Sequence, residues 1–205
     1  MIVIVDYGTG NVQSILNMLR RIGIDAAEIS AEIKKIEEAD KLIFPGVGAF
    51  DFGMTNLKKS GLIPVLNKKV IDQKVPILGI CLGMQLMTQR SEEGSLPGLG
   101  WIDAETIRFN FEGSINKRKI PHMGWNTVHI CKENRILPNK DDEFIFYFVH
   151  SYHVVCHSKK DILTVTEYGY EFVSSFQKDN ITGVQFHPEK SHKFGMKVMS
   201  NFASL

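Results

Sequence analysis

Cys81 stands between two glycines in Gly79-Ile80-Cys81-Leu82-Gly83-Met84-Gln85, where the apolar run ending in Pro76-Ile77-Leu78 gives way to a helical pattern. A thiol at the tip of a buried strand, on a turn tight enough to need glycine on both sides, has the geometry of a nucleophile elbow. Free cysteine is among the most buried residue types, so inert packing is the competing reading. Against it stand the cost of the glycine frame at an ordinary strand end and the helix start predicted at Leu82, because helix N-termini favour thiolates. Gln85, four residues on, falls on the same helical face and is a candidate substrate contact, with ordinary packing as the plainer alternative.

The second constellation is Gln185-Phe186-His187-Pro188-Glu189. Pro188 restricts His187 to extended backbone, where residues two apart point to one side, so His187 and Glu189 are expected to be neighbours. A thiol, a base and a carboxylate are the members of a nucleophilic triad, the carboxylate fixing the imidazole tautomer and stabilising the imidazolium. Acyl chemistry at sulfur also generates a negative oxygen that needs two donors in place. The Leu82 N–H is one candidate. The loop Pro45-Gly46-Val47-Gly48 can supply the other through Val47 or Gly48, although a plain strand-to-helix turn would read the same way. Cys131 and Cys156 lack a glycine frame and read as structural. His129, His150 and His153 are too loosely arranged for a zinc site, and no metal is expected.

Positioning these groups falls to strands that end at the motifs. Met1–Val5, Ile24–Ile29, Lys41–Phe44 and Val75–Cys81 are strand candidates. Between them, Val12, Ile15, Leu16, Leu19 and Ile22 recur at helical spacing, Ala31–Ala39 reads as a charged helical piece, and residues 51–73 read as helical with a break near Gly61 and Pro64. Strands alternating with helices at this density predict an α/β fold with a mostly parallel central sheet flanked by helices. After Arg90 the pattern changes. Ile102–Phe109, Asn126–Ile130, Phe144–Val149, Tyr152–Cys156, Leu163–Tyr168, Phe172–Gln177 and Ile181–Phe186 lack helical periodicity and predict mostly antiparallel strands, closed by a helix over Ser191–Phe202. No repeat or linker divides the chain, so residues 1–205 are expected to form one domain.

Twenty-four basic and 23 acidic residues leave a formal charge of +1, so no overall field points to nucleic acid or a membrane surface as partner. Small neutral or zwitterionic substrates fit better. Three widely spaced cysteines argue against a disulfide framework, and the first residues lack the basic region of a signal peptide, which together predict a cytoplasmic protein.

Taken together, Pro45–Gly48, Gly79–Gln85 and Gln185–Glu189 closely resemble the motifs of class I, triad-type glutamine amidotransferases, which have a flavodoxin-like core. Asp6–Asn11, Lys119–Asn126 and Phe148–Tyr152 resemble, more narrowly, the glutaminase subunits of imidazole glycerol phosphate synthases, and the similarity covers essentially the whole chain. This resemblance implies that Cys81 attacks the side-chain amide of L-glutamine, that His187 protonates the departing ammonia, and that water hydrolyses a glutamyl thioester to glutamate. It implies that Gly48, Gln85, Ser151 and Tyr152 line the glutamine pocket. It also places Asn11, Pro121, His122, Met123, Trp125, Tyr147 and Lys190 toward a cyclase (synthase) subunit in a heterodimer. That partner would use the ammonia to make imidazole glycerol phosphate and AICAR in histidine biosynthesis, and no cofactor is implied. Similar subunits feed a related synthase in surface-sugar pathways, an alternative the sequence leaves open. Two further readings are weaker. A flavin-binding module would use Tyr7–Asn11 as a phosphate loop but leaves the Cys81 frame and the later half unexplained. A cysteine hydrolase of peptides or esters would turn over without any partner.

Overall fold

The computed structural model describes residues 1–113, 118–138 and 143–205. Its first apolar run forms β1 (Ile2–Val5), buried along its whole length, with Ile2 and Ile4 entering one core and Val3 and Val5 the other. Such a strand is covered on both faces, as parallel sheets require. The helix α1 (Val12–Arg21) lays Ile15, Leu16 and Leu19 on the sheet. It is followed by β2 (Ala27–Ser30), which starts later than expected, and α2 (Ile33–Glu38). Then β3 (Lys41–Gly46) runs two residues further than expected, carrying Pro45 and Gly46 into register with β4 (Ile77–Cys81). Between them α3 (Phe50–Ser60) stops at Gly61, left-handed at φ +70°, and α4 (Ile63–Asn67) restarts with Pro64 in its first turn. The π-helical turn Lys68–Asp72 that follows has no signature in the sequence.

After β4 comes α5 (Leu82–Leu86), only five residues long. All five are buried, so this segment has no polar face with which to continue as a surface helix. The later half supplies β5 (Ala104–Arg108), β6 (His122–Ile130), β7 (Phe144–His150), β8 (Tyr152–Cys156), β9 (Ile162–Glu167), β10 (Glu171–Lys178), β11 (Ile181–Val184) and α6 (His192–Ala203). In α6, Val198 and Phe202 are fully buried and Phe194 is half-buried beside Phe144.

Among the described residues the strands run β2-β1-β3-β4-β11-β10-β9-β6-β7, with β8 off this path, pairing β5 and β10. From β2 to β11 the pairings are parallel, and beyond β11 they are antiparallel. The strand β11 joins the two halves of the sheet. It pairs antiparallel with β10 but parallel with β4, Val184 lying level with Ile80, and all four of its residues are buried. The chain leaving β11 therefore emerges beside Cys81, at the carboxyl ends of β3 and β4, where open α/β sheets form their binding crevices. Among the described residues no helix is long and apolar enough to cross a membrane.

Candidate active site

Cys81 ends β4 at φ +53°, ψ −111°, a backbone conformation that non-glycine residues seldom adopt. The glycines around it have a different job from the one the sequence suggested. Neither Gly79 nor Gly83 has a positive φ; a Cβ on Gly83 would lie 1.8 Å from the Phe44 carbonyl oxygen, and one on Gly79 would lie 2.7 Å from Met87 Cε. They permit close approach of α5 to β3 and β4, and the strain sits on the cysteine itself.

His187 leaves β11 in extended conformation, and Pro188–Lys190 then forms a 3-10 turn. That turn, rather than the alternation of an extended strand, brings Glu189 Oε1 within 2.8 Å of His187 Nδ1. The two side chains are 2% and 1% exposed. Burial opposes the imidazolium, but the neighbouring Cys81 and the hydrogen-bonded Glu189, with their charges, outweigh it and raise the pKa of His187 to about 10, although Nε2 has no hydrogen-bond partner within range among the described residues. The backbone of the base is fixed too. His187 N–H donates to the Tyr147 carbonyl at 2.9 Å, while the Ser191 hydroxyl donates to the His187 carbonyl at 2.6 Å and accepts the Tyr147 N–H at 3.0 Å.

A pocket of about 540 Å³ joins Cys81, Leu82 and His187 to Gly48, Gln85, Ser151 and Tyr152, the four residues expected at the substrate. Pro121 and Lys190, expected toward a partner, line its rim. A larger depression of about 760 Å³, bordered by Arg108, Phe111 and Arg118, contains neither thiol nor histidine.

Two expected roles are corrected. Val47 N–H donates to Thr9 Oγ1 at 3.1 Å, and the Thr9 hydroxyl donates back to the Val47 carbonyl at 2.5 Å, so this peptide does not offer its N–H to the pocket. Gly48, at φ +103°, lines the pocket beside it. The same contacts fold the Tyr7–Asn11 turn onto the loop after β3. His122 is not a surface residue. Strand alternation turns it inward, 3% exposed, with its ring 4.0 Å from that of Tyr168 and its Nδ1 3.0 Å from His150 Nε2. Burial lowers its pKa to about 4. The neighbouring Met123 and Trp125 point the other way and are 62% and 49% exposed. Trp125 stacks on His192, and the Lys190 ammonium lies 5.6 Å from the centre of the Tyr147 ring, so Trp125, Tyr147 and Lys190 do gather on one face. Asn11 precedes the first turn of α1 and is half-buried.

Sequence reasoning missed Glu93, Gln185 and Thr9 as site residues. Glu93 lines the pocket, its Oε2 accepting the Phe50 N–H at 2.8 Å. Burial raises its pKa, opposed by that hydrogen bond, with the charge of Asp51 adding to the rise. Nothing in Ser91-Glu92-Glu93-Gly94 separates it from Glu92. Gln185 was visible as the first residue of the histidine motif, without a role.

A buried thiol, a buried imidazole–carboxylate pair and a glycine loop around one pocket define a class of acyl-transferring enzymes that work through a cysteine. The family model for glutamine amidotransferase class-I matches residues 3–204. The chain belongs to that family. Within it, the chain is 59% identical to the imidazole glycerol phosphate synthase subunit HisH 2 of Methanococcus maripaludis, with 98% of each chain covered. It is 51% identical to the subunit HisH 2 of Pseudomonas aeruginosa and 44% identical to the subunit HisH of Leptospira borgpetersenii, with 100% of each chain covered in both cases. The fold is also that of a glutamine amidotransferase crystal structure, at a TM-score of 0.74 and 17% identity over 99% of each chain.

Proposed function

We propose that this chain is the glutaminase subunit of an imidazole glycerol phosphate synthase, a cytoplasmic enzyme that hydrolyses L-glutamine and passes ammonia to a cyclase subunit in histidine biosynthesis. One observation carries the reading: a strained Cys81 shares a pocket with His187, itself held by the buried carboxylate of Glu189, in a chain whose full-length relatives bear that name.

In this reading Cys81 Sγ forms a bond to the amide carbon, and the carbonyl electrons move onto oxygen between the Leu82 and Gly48 N–H groups. His187 Nε2 holds the thiol proton and returns it to the leaving nitrogen as the C–N bond breaks. Water then attacks the thioester, giving up its proton to His187, and glutamate departs as the sulfur is reprotonated. Both hydrogens of Gln85 Nε2 go to protein acceptors, the Tyr152 carbonyl at 3.2 Å and Gln185 Oε1 at 2.9 Å, so its Oε1 is the atom left for substrate. The Glu93 carboxylate suits the α-ammonium of glutamine. Ammonia escaping into water would be protonated and lost as a nucleophile, so it must cross the rim at Pro121 and Lys190 into a partner docked over Met123 and Trp125.

Two relatives carry the numeral 2 in their names, which favours a second reading: an additional copy feeding a related synthase, such as one in surface-sugar biosynthesis. Restoring growth without histidine to a strain lacking its own glutaminase subunit supports the first reading, and failure by a folded, expressed chain supports the second. The chemistry common to both is tested by acid-quenching the protein as it turns over glutamine with its synthase partner and weighing its peptides. A Cys81 peptide heavier by one glutamyl group is expected, and modification of any other residue would remove Cys81 from its role.

A further inference from the structure

Gln185 follows β11 directly, is fully buried, and lies where the parallel register sets it beside Cys81. Its Nε2 is 3.7 Å from Cys81 Sγ, within hydrogen-bonding distance for sulfur. Which end of an amide faces a neighbour has to be read from its partners, and here they leave no choice. The Tyr152 carbonyl can only accept, so the nitrogen of Gln85 faces it at 3.2 Å, and the other hydrogen of that nitrogen goes to Gln185 Oε1 at 2.9 Å. Gln185 must then turn its NH2 toward the sulfur.

The chain of donors continues away from the site. His150 Nδ1 lies 2.7 Å from the same Tyr152 carbonyl and must carry its hydrogen there. Buried and held neutral, His150 presents a bare Nε2 to His122 Nδ1 at 3.0 Å, and His122 Nε2 in turn faces Asn126 Nδ2 at 3.2 Å. Asn126 Nδ2 also donates to the Glu167 carbonyl at 2.9 Å, which fixes the outer end of the chain. Every member has one orientation, set by carbonyls that cannot donate.

We propose that Gln185 is a further catalytic residue, an N–H donor locked onto the Cys81 sulfur by Gln85 and the Tyr152 carbonyl, where it stabilises the thiolate and the sulfur's position for attack. Helix α5 is too short for its terminus to bear that role, whereas a hydrogen bond to an ionised acceptor is among the stronger ones a protein makes. The inference rests on the nucleophile assignment, so the test must separate the two.

The probe is iodoacetamide, which needs neither glutamine nor a partner, with alkylation of Cys81 followed by peptide mass against pH. Two variants are compared with the wild-type chain: Gln185→Glu, which keeps the shape and the acceptor for Gln85 but replaces the donor, and Gln185→Met, which keeps the volume. Melting temperature serves as the check on folding for both. The expected result at pH 7 is about tenfold slower alkylation of Cys81 in each folded variant, with the rate profile moved to higher pH and alkylation of the exposed Cys131 unchanged. Wild-type rates and profile in either folded variant overturn the role of Gln185, even if glutamine turnover falls. A wild-type chain that forms no glutamyl-Cys81 adduct with glutamine while a cyclase subunit is present and glutamate is being released overturns the nucleophile assignment instead.

Discussion

His187 owes its basicity to what surrounds it: burial works against the imidazolium, and the contacts with Cys81 and Glu189 more than offset that and hold its pKa near 10. Glu189→Gln retains a partner for Nδ1 while removing the charge, so the His187 pKa falls and the alkaline limb of kcat against pH moves to lower pH, with kcat reduced roughly tenfold or more. An unmoved alkaline limb would assign that limb to another group. His187→Ala should be more severe, because the base itself is gone. Glu93→Gln, in contrast, should raise KM for glutamine about tenfold with kcat changed little, as expected for a carboxylate that binds the α-ammonium and takes no part in bond making. A fall in kcat at unchanged KM would place Glu93 in the chemistry. At this scale the thiol, base and carboxylate were legible as members of two short motifs, although the glycines beside Cys81 serve close approach and a 3-10 turn sets the place of Glu189. Glu93 and Thr9 were not, because their roles depend on chain segments more than 35 residues distant meeting in space.

The elements differ in how much they disclosed. Strands β1, β3 and β4 announced themselves because strands buried on both faces read as unbroken apolar runs. The four buried residues Ile181-Thr182-Gly183-Val184 of β11 do not say which neighbour they will pair with, so its parallel register against β4 emerged only in three dimensions. The brevity of α5 and the π turn at Lys68–Asp72 were hidden for a related reason, since tertiary packing rather than local propensity sets them. The junction of α5 with β3 is where the site is most sensitive. Gly83→Ala brings a methyl group to 1.8 Å from the Phe44 carbonyl, a contact that only backbone movement can relieve. The expected cost is about 3 kcal/mol in denaturant unfolding, with glutaminase activity lost even where the chain still folds, because the elbow moves with the helix. An alanine variant with unchanged unfolding midpoint and activity would show that α5 is free to shift.

Across the whole molecule, the buried histidines make the fold sensitive to acid. Burial holds His122 and His153 down to about 4 and His150 well below its ordinary value. The unfolded chain binds protons at these sites from about pH 6.5 downward while the folded one resists, so their contribution is complete above about 6.5 and is lost as the pH falls through 4. Thermal unfolding between pH 7 and 4.5 should show the midpoint dropping by several degrees, less steeply in His153→Phe, whose ring would stay among Phe109 and Phe172. A midpoint independent of pH in that window would mean that the histidines are accessible to protons in the folded state. The central claim is that Cys81 makes ammonia for another chain to use. It is tested most directly by mixing the protein with a cyclase subunit of imidazole glycerol phosphate synthase and following glutamate release and cyclase product formation together. Glutamine should support both in the wild type, with little glutamate released when the cyclase is omitted. Cys81→Ser should abolish both, while added ammonia still drives the cyclase. Glutamate release undiminished in Cys81→Ser would contradict the account.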